Sequence, residues 1–152
     1  MAKSPGSRDA ITMPALLRHA RTAYAVAMRT ALAKAGYGDI PKNGLYVIGG
    51  LARLAGNHPL GKLIEDLRLS KQAAGYLVDM LVTRGYLDRR VDGEDRRRLT
   101  IDLTERGRRA AKVLIAAGAT VDAELLSRVG AKDVERTRRT LLVLVEIGHA
   151  TG

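Results

Sequence analysis

The chain has 152 residues, 46% of them hydrophobic, and a formal net charge of +10. This length suits one domain, or a small domain with extra helices for assembly, and the apolar content excludes disorder of the whole chain. The positive charge favours a polyanion or an anionic surface as partner, and the absence of cysteine excludes disulfides, thiolate chemistry and cysteine-type zinc sites.

Residues 1–10 are predicted to form a flexible N-terminus. They are polar and precede a basic amphipathic stretch, whereas a secretion signal would continue into an apolar core and a cleavage site. No run of the sequence approaches the roughly 20 apolar residues that span a bilayer. We therefore expect a cytoplasmic protein without a membrane partner.

Three helices are predicted between residues 11 and 67. The first, from Ile11 to Ala35, is long, because apolar residues recur there at helical spacing. The second, from Leu45 to Ala55, is mostly buried and ends at Gly56. The third is short, with Pro59 in its first turn, where a missing N–H donor is harmless. Its apolar stripe consists of Leu60, Leu63, Ile64 and Leu67.

A fourth helix is predicted from Ser70 to Arg84. Ser70 is a suitable N-cap, and Gly85 is a suitable C-terminal stop. Only Arg68, Leu69 and Ser70 separate this helix from the third. Two helices joined so closely are typical of a helix-turn-helix, although the same arrangement occurs in purely structural bundles.

A β-hairpin is predicted directly after the fourth helix. Residues 86–91 can pair with residues 99–103, in which Leu99, Ile101 and Leu103 alternate with polar residues and should face inward. The turn is predicted at residues 92–95, because Asp-Gly is a strong hairpin signal. A helix-turn-helix followed by a hairpin is a winged helix. Its hairpin, residues 87–103, holds five arginines and five acidic residues, so geometry must decide which arginines are free.

Two further helices complete the chain. Thr104 is a suitable N-cap for a helix that ends at Gly130, and Glu105 suits the positive end of its dipole. The last helix, Asp133 to His149, is more apolar than a surface helix requires, which is typical of a bundle or a subunit interface. The predicted fold is mainly α with a small β-hairpin: a winged helix-turn-helix plus terminal helices.

Three motifs follow one another in this part of the chain. They are Leu77-Val-Asp-Met-Leu-Val-Thr-Arg-Gly-Tyr-Leu-Asp-Arg89, Asp95-Arg-Arg97 and Leu103-Thr-Glu-Arg-Gly107. In this order and spacing they resemble the MarR family of bacterial and archaeal transcriptional regulators, and the resemblance extends over nearly the whole chain. It implies a sequence-specific regulator of double-stranded DNA, commonly a repressor that a small-molecule effector releases.

The resemblance also implies an obligate homodimer in which the first and the last two helices interlock. The chain would then divide into the flexible N-terminus (1–10), a dimerisation helix (11–36), a winged helix-turn-helix DNA-binding domain (44–104) and dimerisation helices (105–149). Two reading helices related by a two-fold axis predict a pseudo-palindromic operator with half-sites about 10 bp apart.

The fourth helix is expected to enter the major groove with its N-terminal half. Gln72 can pair with adenine, Lys71 can reach guanine or phosphate, and Tyr76 can reach a phosphate, so these residues are DNA-binding candidates together with Ser70. Ala73, Ala74 and Gly75 stand where relatives commonly carry Ser or Thr. Gly75 costs about 1 kcal/mol of helix stability; it either admits the DNA backbone or is simply a tolerated surface residue.

In the wing, the resemblance implies that Asp95 organises the turn and that Arg97 reaches into the minor groove. Arg96 is expected beside a phosphate, and Arg89, Arg90 and Arg98 are weaker candidates. An arginine gains from the negative potential of a narrow minor groove. The alternative is a surface salt bridge between Asp95 and Arg97, worth about 0–1 kcal/mol. Both can hold, because a salt bridge can position an arginine.

In many members of the family that this sequence resembles, a small, often aromatic or anionic effector binds where the dimerisation helices meet the winged helix. The resemblance therefore points to His19, Tyr24, Tyr46 and Arg53 as candidate effector-binding residues. The sequence shows no catalytic signature, phosphate loop or metal-ligand spacing, so we expect no enzyme, cofactor or metal.

Two other functions compete with DNA binding. A winged helix that binds RNA or another protein could use the same basic surface, but aromatic residues for stacking single-stranded bases amount to only 3%. A membrane-surface protein could use the first helix through Arg18, Arg21, Arg29 and Lys34. The apolar side of that helix is mostly alanine, which is a poor insertion face.

Overall fold

The computed structural model describes residues 10–54 and 58–150. It contains six helices and three strands in these ranges: α1 (Met13–Lys34), α2 (Gly44–Ala52), β1 (His58–Pro59), α3 (Leu60–Asp66), α4 (Lys71–Thr83), β2 (Leu87–Val91), β3 (Leu99–Leu103), α5 (Glu105–Val129) and α6 (Ala131–Ala150). The mainly helical fold with a small sheet is confirmed. The predicted flexible N-terminus lies outside the described residues, except for Ala10.

The predicted helices are present, and α2 is shorter at its C-terminus than expected. It stops at Ala52, while the expected end at Ala55 and Gly56 lies outside the described residues. Ser70 caps α4, since its hydroxyl oxygen accepts the N–H of Ala73 at 3.1 Å. Thr104 caps α5 in the same way, accepting from the N–H of Gly107 at 3.0 Å.

The hairpin belongs to a three-stranded antiparallel sheet with the order β1-β3-β2. Strand β1 escaped the sequence analysis, because two residues are too few to show a period. Its Pro59 pairs with Thr100 and is the N-cap of α3, so the prediction of Pro59 in the first helical turn was wrong by one position. The inward-facing set was also partly wrong: Leu99 is 41% exposed at the outer end of β3, and Thr100 is buried in its place.

A single apolar core lies beneath the sheet and joins the winged helix to α1 and α5. Its largest fully buried side chains are Tyr86, Ile48, Leu81, Ile101, Val47 and Val78. Helix α1 packs mainly against α5, and α2 packs against α5 as well. Leu32 and Leu114 therefore join the core of the winged helix from the two long helices.

Helix α6 differs from the other long helices, because the single chain buries none of its residues. Six large apolar side chains in its C-terminal half are at least 38% exposed. They are Leu141, Leu142, Val143, Leu144, Val145 and Ile147. Such a contiguous apolar surface is unusual on a monomer.

Candidate nucleic-acid interface

Helix α4, which is predicted to enter the major groove and is called the reading helix below, presents a polar and small-residue face away from the core. Ala74, Leu77, Val78 and Leu81 are buried beneath it. Lys71 and Gln72 are exposed in the first turn, and the Tyr76 side chain, 68% exposed, stands one turn later. The N-terminal half of α4 is thus free to contact a ligand with several hydrogen-bonding side chains.

Gly75 lies on this same part of α4. A Cβ built at Gly75 meets no atom within 4 Å, so the fold itself does not require glycine there. Packing within the chain therefore gives no reason for the residue, and both predicted explanations remain open.

The tip of the wing is a seven-residue loop, residues 92–98, and not the tight turn predicted at Asp92-Gly93-Glu94-Asp95. The last strand pair is Val91 with Leu99, and the N–H of Asp92 donates to the carbonyl of Arg98 at 2.8 Å. The tight Asp-Gly turn needs positive φ at both central residues. Gly93 is not among the glycines with positive φ, so that turn does not form.

Two aspartates hold this loop through their side chains. Asp92 Oδ1 accepts the backbone N–H of Glu94, and Asp95 Oδ1 accepts the backbone N–H of Arg97, each at 3.0 Å. The carbonyl of Asp95 also accepts the N–H of Arg98 at 2.9 Å. Asp95 is therefore placed to organise the turn through the backbone of Arg97, which leaves the guanidinium group of Arg97 available.

The hairpin arginines divide into paired and unpaired groups. Arg89 donates to Asp79 of α4, and Arg90 donates to Asp88 at 2.8 Å. In the part of the chain that the structure describes, the exposed guanidinium groups of Arg96, Arg97 and Arg98 have no hydrogen-bond or ion-pair partner. Asp92 and Asp95 near the tip bind backbone N–H groups instead. The hairpin therefore has zero net charge and still carries three unpaired cations at its tip.

The pair between Arg89 and Asp79 was not foreseen. It joins β2 to the exposed face of α4, and its two residues are only ten positions apart in sequence. Asp79 lies on α4, two turns beyond Lys71. Its position on the helical face gave no indication that it would contact the hairpin. The pair orients the wing relative to the reading helix.

A close corner fixes the start of α5 against the end of α4. The hydroxyl of Thr104 donates to the carbonyl of Gly85 at 2.5 Å, and the Thr104 N–H donates to the carbonyl of Tyr86 at 3.1 Å. A Cβ on Gly107 would stand 2.1 Å from the carbonyl oxygen of Tyr86. The Leu-Thr-x-x-Gly motif is thus explained by a cap and a close backbone approach.

Three of the four predicted effector residues line one cleft of about 340 Å³ between α1, α2 and α5. Tyr24, Tyr46 and Arg53 contribute polar groups, and Met28 and Leu114 contribute apolar ones. His19 is exposed on α1 and is not among the lining residues. Arg21, which was not among the predicted residues, also lines the cleft and donates to the Tyr46 hydroxyl at 2.9 Å.

Hydrogen bonding also ties this cleft to α5. The Tyr24 hydroxyl donates to Asp122 at 2.5 Å, and this hydrogen bond, with burial, raises the pKa of Tyr24. The Arg21 guanidinium lies 4.3 Å from the centre of the Tyr46 ring. The walls of the cleft are therefore held by contacts between α1 and each of its two neighbours.

Metal-binding clusters and membrane-spanning helices are both absent from residues 10–54 and 58–150. No group of three or more His, Asp or Glu side chains is arranged to hold a metal ion. No helix in those residues is long and apolar enough to cross a membrane.

Comparisons with known proteins place the fold. The chain is similar to S. aureus MepR in its DNA complex (18% identity, 90% of this chain and 98% of that chain, TM-score 0.74). It is also similar to Streptococcus pneumoniae FabT in complex with DNA (15%, 90% and 95%, 0.76) and to a MarR transcriptional regulator from Methanosarcina mazei Go1 (19%, 90% and 98%, 0.73). No curated protein matches the sequence significantly.

The sequence itself also matches a profile described as the MarR family, over residues 40–98. This range begins before α2 and ends at the wing tip, so it covers the reading helix and most of the hairpin. MarR-family proteins are transcriptional regulators and not enzymes. The motifs and the profile over residues 40–98 are thus similar to the MarR family, and the fold is that of its winged-helix regulators.

Proposed function

We propose that this protein is a sequence-specific double-stranded DNA-binding transcriptional regulator, a repressor that acts as a homodimer in the cytoplasm of a bacterium or archaeon. The observation that carries the DNA-binding proposal is the wing tip, where Asp92 and Asp95 bind the backbone and leave Arg96, Arg97 and Arg98 unpaired. A cluster of unpaired guanidinium groups favours an anionic partner such as a phosphate backbone. MepR and FabT, which share the fold, are known in complexes with DNA.

Each part of the proposed interface has a distinct role. Lys71, Gln72 and Tyr76, with Ser70 and Gly75, contact the major groove through the exposed face of α4. Arg97 reads the minor groove and Arg96 neutralises a phosphate. Arg89 and Arg90 are assigned a secondary role, because Asp79 and Asp88 already engage their guanidinium groups. Base contacts give specificity, whereas phosphate contacts fix the register.

The homodimer is supported by the apolar surface at the ends of the long helices. The exposed side chains on α6 are accompanied by Met13, Leu16 and Leu17 on α1 and by Leu125, Leu126 and Val129 on α5. Burying this surface against a second copy would stabilise the dimer by about 25 cal/mol for each Å² of apolar surface removed from water. Residues 11–36 and 105–149 are thus the proposed dimerisation segments, and residues 44–104 are the proposed DNA-binding domain.

The cleft lined by Tyr24, Tyr46 and Arg53 is the proposed effector site. It joins aromatic and apolar walls to a cationic group, which suits a small aromatic or anionic molecule. It also lies between the proposed dimerisation helices α1 and α5 and helix α2 of the winged helix. An effector there would change their relative placement and release DNA. His19 is a peripheral candidate, since it is not among the lining residues.

The test begins with selection of genomic DNA fragments by the purified protein. We expect enrichment of one pseudo-palindromic site, with half-sites about 10 bp apart. Binding should weaken steeply and linearly on a plot of log affinity against log salt. Equal affinity for all duplexes, or a flat salt response, would contradict the proposal and favour the RNA- or protein-binding winged helix.

Two further measurements test the finer claims. Sedimentation should give a dimer, and Leu142→Asp should produce monomers that lose affinity for the complete operator. A screen of aromatic carboxylates should find compounds that release DNA from the wild type and fail with Arg53→Ala. Arg128→Ala is the matched control, because it removes an arginine that is paired with Glu124 on α5, away from the cleft.

A further inference from the structure

A cluster of polar and aromatic side chains joins the loop between α1 and α2 to the base of the wing. The carboxylate of Asp39, in that loop, accepts a hydrogen bond from the hydroxyl of Tyr86. It also accepts from Arg106 Nη2, which lies 3.3 Å from Oδ1 and 3.4 Å from Oδ2. Arg106 Nη2 also donates to the Tyr86 hydroxyl at 2.9 Å. Three segments far apart in sequence therefore meet at Asp39.

The same loop residue also contacts the end of the reading helix. The guanidinium group of Arg84, the C-cap residue of α4, donates to the backbone carbonyl of Asp39. Tyr86 immediately precedes β2, and its N–H donates to the carbonyl of Leu81 in α4 at 2.9 Å. Asp39 thus holds the C-terminus of α4 with its carbonyl and the base of the wing with its carboxylate.

Aromatic contacts fill the space behind this cluster. Tyr37 lies edge to face with Tyr86, with 6.2 Å between ring centroids, and the Arg106 guanidinium lies 4.6 Å from the centre of the Tyr86 ring. Burial, followed by the hydrogen bond to Asp39, raises the pKa of Tyr86 to about 12. The hydrogen bond from Tyr86 lowers the pKa of Asp39, so at neutral pH the pair is a phenol donating to a carboxylate.

We infer that Asp39 is a positioning residue for DNA binding, which sets the orientation of the reading helix relative to α1 and α5 and thereby the spacing between half-sites. The inference rests on the proposed function as a dimeric DNA-binding regulator. Asp39, a loop residue outside both the proposed DNA-binding face and the effector cleft, determines which operator geometry the dimer accepts.

The geometry makes the spacing sensitive to this contact. Helix α4 has 13 residues, so its N-terminus stands roughly 20 Å from the anchored C-terminus. A tilt of about 10° at the anchored end moves the reading end by about 3 Å, close to the 3.4 Å rise between base pairs. Loosening the anchor would therefore blur the spacing preference by about one base pair.

The experiment compares the selected operator with versions carrying one base pair more or fewer between the half-sites. Asp39→Ala removes the carboxylate that holds the base of the wing, and Arg84→Ala removes the donor to the Asp39 carbonyl that holds the end of α4; these are the two test variants. Glu105→Gln is the control, because it removes a nearby carboxylate that pairs with Arg108 and not with Asp39, Tyr86 or Arg106. Sedimentation and thermal unfolding confirm that each variant remains a folded dimer.

We expect the wild type and Glu105→Gln to discriminate sharply among the three spacings. In the two test variants that discrimination should fall on the order of tenfold, as for loss of a hydrogen bond to a charged group. A lower affinity with an unchanged spacing preference would mean that the cluster only stabilises the fold, and it would overturn the inference. Absence of spacing-dependent DNA binding by the wild type would instead refute the proposed function, and the inference with it.

Discussion

Replacing Arg97 by alanine tests the assignment of the wing directly. The side chain is exposed, and no described residue accepts from its guanidinium group. Its backbone N–H, which Asp95 binds, is kept in the variant. The change therefore removes a cation and leaves the loop intact. Stability should stay within about 0.5 kcal/mol of the wild type, as is usual for surface substitutions.

The expected loss of affinity follows from two copies of the wing on one operator. An arginine that reads bases contributes about 1–3 kcal/mol. A dimer that loses two should bind about 2–6 kcal/mol more weakly, or roughly thirty- to twenty-thousand-fold. The slope of log affinity against log salt should fall by about one for each phosphate contact that is lost. If Arg97 reads bases and Arg96 binds phosphate, Arg96→Ala should change the slope more.

The matched control is Arg90→Ala, measured by titration of the selected operator at fixed salt. It removes the same charge from the same hairpin, but from a guanidinium group that Asp88 already binds at 2.8 Å. A general effect of charge would weaken both variants equally, whereas a placed arginine predicts a much larger loss for Arg97→Ala. Unchanged affinity of Arg97→Ala, or equal losses in the two variants, would refute the wing assignment.

Three other predictions concern positions where the structure determines the sign of an effect. Gly107→Ala should destabilise the fold by about 1–3 kcal/mol in urea unfolding despite the helix preference of alanine, because its Cβ would meet the Tyr86 carbonyl; a stabilised variant would contradict this contact. Gly75→Ala should stabilise the fold by about 1 kcal/mol, since its Cβ enters open space, and should weaken operator binding only if the DNA backbone approaches there. The raised pKa of Tyr86 adds stability that is complete below about pH 10 and is lost as pH rises through about 12. The free energy of unfolding should therefore decline less over that range in Tyr86→Phe than in the wild type. Equal declines in the two proteins would refute the burial of this phenol.

Short-range signals in the sequence predicted the helices and their caps well. Ser70 and Thr104 each accept the backbone N–H three residues later, as an N-cap should. The hairpin strands were also placed correctly, because β2 and β3 each have five residues of suitable composition. These features depend on neighbours within a few positions, so the sequence alone carries the information.

Contacts between distant segments could not be predicted in the same way. The pairing of β1 with β3 joins residues about 40 positions apart, and Asp39 meets Arg106 across 67 positions. The wing tip failed for a different reason. Asp-Gly favours a tight turn, but the side chains of Asp92 and Asp95 provide competing backbone contacts that close a longer loop.

The distribution of partners among the hairpin arginines shows why charge counting was insufficient. Five acids and five arginines cancel in sum, yet Asp79, which lies outside the hairpin, binds Arg89, while Asp95 binds a backbone N–H. The hairpin therefore presents unpaired cations at its tip and paired ones at its base. The positive potential of the unpaired arginines would attract a phosphate backbone to the tip. The ion pairs at the base of the hairpin would keep those arginines in place. In the proposed interface, recognition by the wing would thus depend on carboxylates that bind the backbone of the loop.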